Sequence, residues 1–152
     1  MKKILVFLIA SLFISSTFAE RDRSEDSYFI RNINSGDTNQ GECSIIFRVT
    51  TTTNALVDVR EIDFHAVLKD GQGKVVDWLM VTVPESEIYD MVQPYFDVSL
   101  DSKKVCKAIG HSVVFNKVEV KYKNSLQSID IVQSKQLKLS NFRPVKIIIG
   151  SQ

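Results

Sequence analysis

Histidine and cysteine, which often serve in catalytic and metal sites, are scarce in this 152-residue chain, with two of each. His65 lies in a strand-like segment and His111 follows a glycine, and neither belongs to a recognisable catalytic motif. No zinc-protease helix, nucleophile elbow, phosphate-binding loop or dinucleotide-binding fingerprint occurs. Cys43 and Cys106 form no C-x-x-C pair, and with two distant histidines they make a poor zinc signature. We therefore expect no enzymatic activity, no metal site and no cofactor.

A strong net charge is also lacking. Residues 1–19 hold two basic and no acidic residues, so the rest of the chain has 17 basic and 18 acidic residues and a net charge of −1. Binding to nucleic acid depends on clustered lysine and arginine, as does binding to anionic lipid. We expect no nucleic acid among the partners.

No apolar run is long enough to cross a membrane. The longest run, Ile4–Ile14, has about 11 residues, whereas a membrane-spanning helix needs about 20. It follows two lysines and precedes the small residue Ala19, which is the pattern of a secretory signal peptide rather than of a membrane anchor. We predict that residues 1–19 are cleaved and that the chain is exported to the periplasm or secreted.

Export would place the two cysteines in an oxidising compartment. Disulfides persist outside the cytosol, and an even number of cysteines in an exported chain favours a bridge. A bond between Cys43 and Cys106 would close a loop of about 64 residues and stabilise the fold by roughly 4 kcal/mol. We therefore predict a structural disulfide.

What remains is a charged arm followed by strand patterns. Residues 20–27, ERDRSEDS, are almost free of apolar side chains and are expected to form a solvated N-terminal arm. Residues 28–152 are expected to form a single domain of eight or nine short extended segments with turn residues between them. No amphipathic helix longer than two turns is evident, although residues 84–94 suit a short helix or crossover. This pattern predicts an all-β sandwich or barrel.

Residues 55–83 allow more detailed predictions of strand geometry. In residues 55–70 the alternation changes face near Arg60–Glu61, which indicates a bulge, a corner or a junction of two strands. Residues 69–74, KDGQGK, are typical of a hairpin turn. The returning strand, residues 75–83, is apolar on both faces and is therefore expected to be central or covered on both sides.

Four aromatic residues are candidates for a binding surface. Trp78 is the sole tryptophan, and tryptophan and tyrosine concentrate at binding hot spots, although packing in the core is an open alternative. Tyr89, Tyr95 and Phe96 flank a connector bounded by prolines, where the alternative is a hydrophobic plug under a loop.

The leader, the two well-spaced cysteines and the strands CSIIFRV, VVDWLMVTV and SVVFNKVEVKYK resemble the interleukin receptor mimic family of small exported enterobacterial proteins. The resemblance implies a fibronectin-type-III or immunoglobulin-like sandwich. It also implies a homodimer made by exchange of strands or a hairpin, and binding of host cytokines through likeness to cytokine-receptor domains. The hairpin of residues 55–83 is the segment expected to be exchanged, because it is long and apolar on both faces.

The sequence thus favours an exported, non-enzymatic protein that binds another protein, by resemblance a host cytokine. The alternative is a structural or assembly role in the envelope, such as that of a fimbrial subunit or accessory factor. A subunit that donates its N-terminal strand needs an alternating apolar arm, and residues 20–27 lack one.

Overall fold

The computed structural model describes residues 21–37, 43–52, 54–88, 95–102, 112–140 and 146–149. Nine β-strands and one short helix lie within these ranges: β1 Tyr28–Asp37, β2 Cys43–Thr51, β3 Val59–Lys69, β4 Val75–Pro84, α1 Glu85–Ile88, β5 Tyr95–Ser102, β6 Ser112–Tyr122, β7 Ser128–Asp130, β8 Leu137–Leu139 and β9 Lys146–Ile149. They form two sheets, and the predicted all-β sandwich is confirmed.

One sheet has four strands in the order β5-β2-β1-β8, and the other has the order β4-β3-β6-β7 with β9 also paired to β6. Neighbouring strands run antiparallel except in the β1–β8 and β6–β9 pairs. Among the described strands, β4 and β5 are each the outermost at the same side of the sandwich, and they contact each other there.

Phenylalanine side chains from both sheets meet in the centre of the sandwich. Phe115 lies edge-on to Phe47 of the opposite sheet, with 5.2 Å between ring centroids. Phe64, its neighbour on β3, lies 6.1 Å from Phe115 and 6.3 Å from Phe96. These edge-to-face pairs add to the free energy gained by burying the rings, so the aromatic cluster holds the two sheets together.

The change of face in residues 55–70 is repaired by a bulge. The pairing of β3 with β6 shifts register between Val59 and Glu61, so that Val59 and Ile62 are both buried in the core. The part before Val59 is a turn and not an extension of the strand. Asn54 and Asp58 adopt positive φ angles of 69° and 61°, a conformation that asparagine and aspartate tolerate better than most residues.

The predicted hairpin turn is also present. Asp70 Oδ1 accepts hydrogen bonds from the backbone N–H groups of Gln72 and Lys74, each at 2.9 Å. Gly73 has a φ angle of 83°, which a residue without a Cβ adopts at little cost. The turn therefore fixes β3 and β4 as antiparallel neighbours.

The expectation that residues 75–83 are central or covered on both sides is wrong. Among the described residues, β4 pairs with β3 alone and is the outermost strand of its sheet. Leu79 and Val83 point into the core, whereas Trp78 and Met80 on the other face are exposed. A strand that is apolar on both faces is buried on both only when a second layer covers its outer face. Among the described residues, no such layer covers Trp78 and Met80 on the outer face of β4.

The N-terminal arm packs against the sandwich and is not simply solvated. Asp26 is 3% exposed and forms an ion pair with Arg21. The Arg23 guanidinium lies 3.6 Å from the centre of the Tyr122 ring, and Gln136 Nε2 donates a hydrogen bond of 2.6 Å to the Arg23 carbonyl. The arm was expected to be solvated, but Arg21, Arg23 and Asp26 contact residues of the sandwich and of its turns, whereas Asp22 and Glu25 are exposed.

Several sequence predictions fall outside the described residues. These are the signal peptide, Tyr89, His111 and Cys106. The backbone of Cys43 begins β2, opposite Ser102 of β5. The disulfide therefore stays a prediction.

Candidate binding surface

The four candidate aromatic residues do not form one surface. Phe96 is 3% exposed and packs against Phe64 in the core, so it is not part of an exposed binding surface. Tyr95 lies on the outer side of β5, where the Arg48 guanidinium stacks 4.1 Å from its ring centre and binds Asp97 with two hydrogen bonds of 2.7 and 2.8 Å. Tyr95 therefore belongs to a cluster of ion-paired side chains on the surface of the other sheet.

Trp78 lies on the outer face of the other sheet and is 71% exposed. Met80, two residues further along β4, is 73% exposed. Because side chains two positions apart on a strand share a face, these two side chains form one apolar surface, here named the Trp78–Met80 patch. Exposed large apolar side chains that stand together mark an interaction surface more often than isolated ones do.

The β3 residues opposite the patch include both apolar and polar side chains. Val67, opposite Trp78 on β3, is buried although it faces outward. His65 is opposite Met80 and Asp63 is opposite Thr82. A shallow depression of about 160 Å³ is lined by these β3 and β4 residues: Asp63, Phe64, His65, Met80, Val81 and Thr82. A partner side chain placed there would meet both apolar surface and hydrogen-bonding groups.

The outer face continues across β3 and β6 as a ladder of paired charges. Lys121 Nζ lies 2.9 Å from a carboxylate oxygen of Glu61 and 2.7 Å from one of Asp63. Lys117 lies 2.8 Å from Glu119. Opposite charges at facing positions stabilise a sheet modestly and keep this part of the face solvated, so the apolar patch is confined to β4.

These contacts shift the pKa values of the ladder. Partial burial raises the pKa of Asp63, but hydrogen bonds from Lys121 and Thr82 outweigh it and leave this pKa below its ordinary value. The hydrogen bond from Lys117, helped by Ser128, lowers the pKa of Glu119. Hydrogen bonds to Asp63 and Glu61 raise the pKa of Lys121. At neutral pH, Asp63, Glu119 and Lys121 are therefore charged.

Acid is expected to weaken the fold through this ladder. Asp63 and Glu119 have folded-state pKa values below their ordinary values of 3.8 and 4.5, so they stabilise the fold above those values and lose this contribution as pH falls through the folded pKa. Urea unfolding between pH 6 and about pH 2.5 should show this loss. In Lys121→Met the loss of unfolding free energy on acidification should be smaller, because Asp63 no longer has its cation. A pH dependence equal to that of the wild type would contradict the role of Lys121 in lowering the pKa of Asp63.

No group of three or more histidine, cysteine or acidic side chains in the described part of the chain is placed to hold a metal ion. Among the same residues, no helix is long and apolar enough to cross a membrane. The feature that stands out on the described surface is the exposed Trp78–Met80 patch.

Sequence reasoning identified Trp78 but missed Met80. Their spacing in the segment VVDWLMVTV was available as a signal, because residues 78 and 80 must share a face of any strand. The segment alone does not show which of its two apolar faces packs in the core. That depends on the pairing of β4 with β3, in which Leu79 and Val83 contact the core cluster.

Comparisons with known proteins give one informative result. No protein family matches the sequence, and no curated protein matches it. Among solved structures, that of IrmA from Escherichia coli matches with a TM-score of 0.58 and 15% sequence identity, over 80% of this chain and 97% of IrmA. At that identity the likeness shows the fold, and it confirms the structural neighbour that the family resemblance implied: this chain has the β-sandwich fold of IrmA.

Proposed function

We propose that the chain is an exported, non-enzymatic binding protein that contacts a protein partner through the Trp78–Met80 patch. The observation that carries this proposal is the exposure of both side chains, 71% and 73%, on the outermost strand of a sheet whose other face is a well-packed core. Tryptophan is among the residues that contribute most binding energy at protein interfaces, and methionine is enriched there.

The class of partner follows from the likeness to IrmA and from the family resemblance of the sequence. That resemblance implies a mimic of host cytokine-receptor domains, so the proposed partner is a host cytokine. Biolayer interferometry of the purified chain against a panel of human cytokines tests this proposal. Saturable binding of one or more of them is expected, and a panel with no binding at high micromolar concentration would contradict it.

A homodimer is proposed as the functional unit. The hairpin of β3 and β4 is the segment proposed for exchange, because β3 pairs with both β4 and β6 and can re-form the same pairs in a second copy. The turn at residues 54–58 precedes this hairpin and would act as the hinge. Light scattering during size-exclusion chromatography should give the mass of two chains, and a monomer at all concentrations would contradict the exchange.

Export and the disulfide are proposed together. Mass spectrometry of material from the native compartment should find Glu20 as the first residue and a peptide that links Cys43 to Cys106. Retention of residues 1–19, or two free thiols, would contradict this part of the proposal.

The envelope or fimbrial role is less well supported. A donated N-terminal strand has to be extended and alternately apolar, whereas Arg21, Arg23 and Asp26 of the arm contact Asn54, Tyr122 and Gln136 of their own domain. Formation of polymers by the purified chain would favour this alternative instead.

A further inference from the structure

We propose that Arg21 and Arg23 of the N-terminal arm act as a strap that holds the turn at residues 54–58 closed and opposes release of the β3–β4 hairpin. This inference rests on the hairpin exchange in the proposed function and specifies what controls it. The turn lies between β2 of one sheet and β3 of the other. Exchange of a structural element between identical chains requires its hinge to open, so contacts that hold this turn also hold the hairpin.

The two arginines donate hydrogen bonds to backbone carbonyls of the turn. Arg21 Nη1 donates to the carbonyl of Asn54. Arg23 Nη1 donates to the carbonyl of Val57 at 3.3 Å. Hydrogen bonds from a charged donor are stronger than those between neutral groups, and these two need both carbonyls in the positions that the closed turn gives them. Opening of the turn therefore breaks both.

Arg23 also ties the turn to the strand from which β3 has to separate. Its guanidinium stacks 3.6 Å from the ring centre of Tyr122 at the end of β6, and Tyr122 is paired with Val59, the first residue of β3. The buried Tyr28 hydroxyl donates a further hydrogen bond, of 3.2 Å, to the Ala55 carbonyl of the turn. These contacts converge on the segment that leads into β3.

The arm is itself held in place, so its arginines are positioned to bind the turn. Gln136 Nε2 donates hydrogen bonds to the carbonyls of Arg23 and Asp26, at 2.6 and 3.1 Å. The Thr52 N–H donates to the Ser27 carbonyl at 3.0 Å, and the Ser27 N–H donates to Thr52 Oγ1 at 3.1 Å. Because these bonds fix the backbone of the arm, less conformational entropy is lost when its side chains bind the turn.

The turn contains strain that opening would release. Asn54 and Asp58 have φ angles of 69° and 61°, and residues with a Cβ keep this conformation where the surrounding structure imposes it. The backbone N–H groups of Ala55, Val57 and Val59, here named the turn amides, each donate to a carbonyl three residues earlier, at 3.2, 3.0 and 3.2 Å. Exchange of the turn amides with solvent therefore reports how often the turn opens.

The strap variant is Arg21→Met/Arg23→Met, which keeps the aliphatic stems but removes both charges and all the hydrogen-bond donors of the two side chains. Arg31→Met/Lys74→Met is the charge control, because it removes the same charge from exposed side chains on β1 and beside the hairpin turn. Val98→Ala is the stability control, because Val98 is buried on β5 and its truncation weakens the core rather than the contacts of the arm.

Hydrogen exchange followed by NMR is measured on the wild type and on the three variants. In the strap variant we expect the turn amides to exchange at least about tenfold faster than in the wild type, the effect of losing one charge-assisted hydrogen bond. In both controls they should exchange close to the wild-type rate, because a local opening of the turn depends neither on net charge nor on the packing around β5.

Native mass spectrometry measures release of the hairpin itself. ¹⁵N-labelled and unlabelled chains of one variant are mixed, and the appearance of mixed dimers is followed over time. Mixed dimers of the strap variant should form at least about tenfold faster than those of either control, because its hinge opens more often.

Three outcomes would overturn the strap. They are turn amides that exchange at the wild-type rate in the strap variant, turn amides that Val98→Ala accelerates equally, and mixed dimers that form at the same rate in the strap variant and in the controls. If the turn amides are accelerated in the strap variant alone while every chain remains a monomer, the strap is supported and the exchanged homodimer of the proposed function is wrong.

Discussion

Phe115→Ala is expected to lower the free energy of unfolding by about 3–5 kcal/mol, the range measured for truncation of a buried phenylalanine. Phe115 is fully buried and contacts Phe47 of the opposite sheet and Phe64 of its own. Its removal leaves a cavity between the sheets and takes away two edge-to-face ring contacts. Since a domain of this kind is stable by about 5–15 kcal/mol, the variant should unfold at a much lower urea concentration.

Equilibrium urea unfolding measures this effect, with an unchanged dependence on denaturant showing that the compactness of both states is unaltered. Leu126→Ala is the matched control, because Leu126 is fully exposed in the turn after β6 and should change stability by less than about 0.5 kcal/mol. Similar losses in the two variants would contradict the central position of the aromatic cluster.

Trp78→Ser is expected to weaken binding of the partner by at least about 2 kcal/mol, or roughly 30-fold, which is the effect of removing an interface hot spot. The indole is 71% exposed in the free chain, so a partner that covers it gains a large apolar contact. The same exposure means that stability should change by about 0.5 kcal/mol or less. The variant therefore separates binding from folding.

The matched control for Trp78→Ser is Leu126→Ser, which removes another exposed apolar side chain away from β4. Affinities for the same cytokine should differ by about 30-fold between the two variants. If both variants bind like the wild type, the Trp78–Met80 patch is not the contact surface.

Much of the fold could be predicted from the sequence because strand periodicity is a local property. The alternation in β2 places Ile45, Phe47 and Val49 in the core, as the pattern requires. The break near Arg60–Glu61 indicated a bulge, a corner or a junction of two strands, because an alternation cannot change face without a break. The register shift between Val59 and Glu61 shows that it is a bulge. The short extent of β7, Ser128–Asp130, was not predictable, because the turn that follows it depends on the Asp130 side chain accepting the backbone N–H of Val132.

The candidate site was only half predictable for a different reason. Trp78 was identifiable by its residue type, but its exposure depends on β4 being the outermost strand, which is a property of topology. Phe96 has the same aromatic character and lies in the core, because residues 96, 98 and 100 of β5 face inward. The packing of the arm was also hidden, since the contacts of Arg23 with Tyr122 and Gln136 join residues about a hundred positions apart.

Hydrogen–deuterium exchange of the chain, free and in complex with a bound cytokine, tests the central claim most directly. The complex should protect the amides of residues 75–83 and leave those of the turn around Leu126 unchanged. Protection elsewhere on the chain, with exchange in β4 as fast as in the free protein, would contradict it.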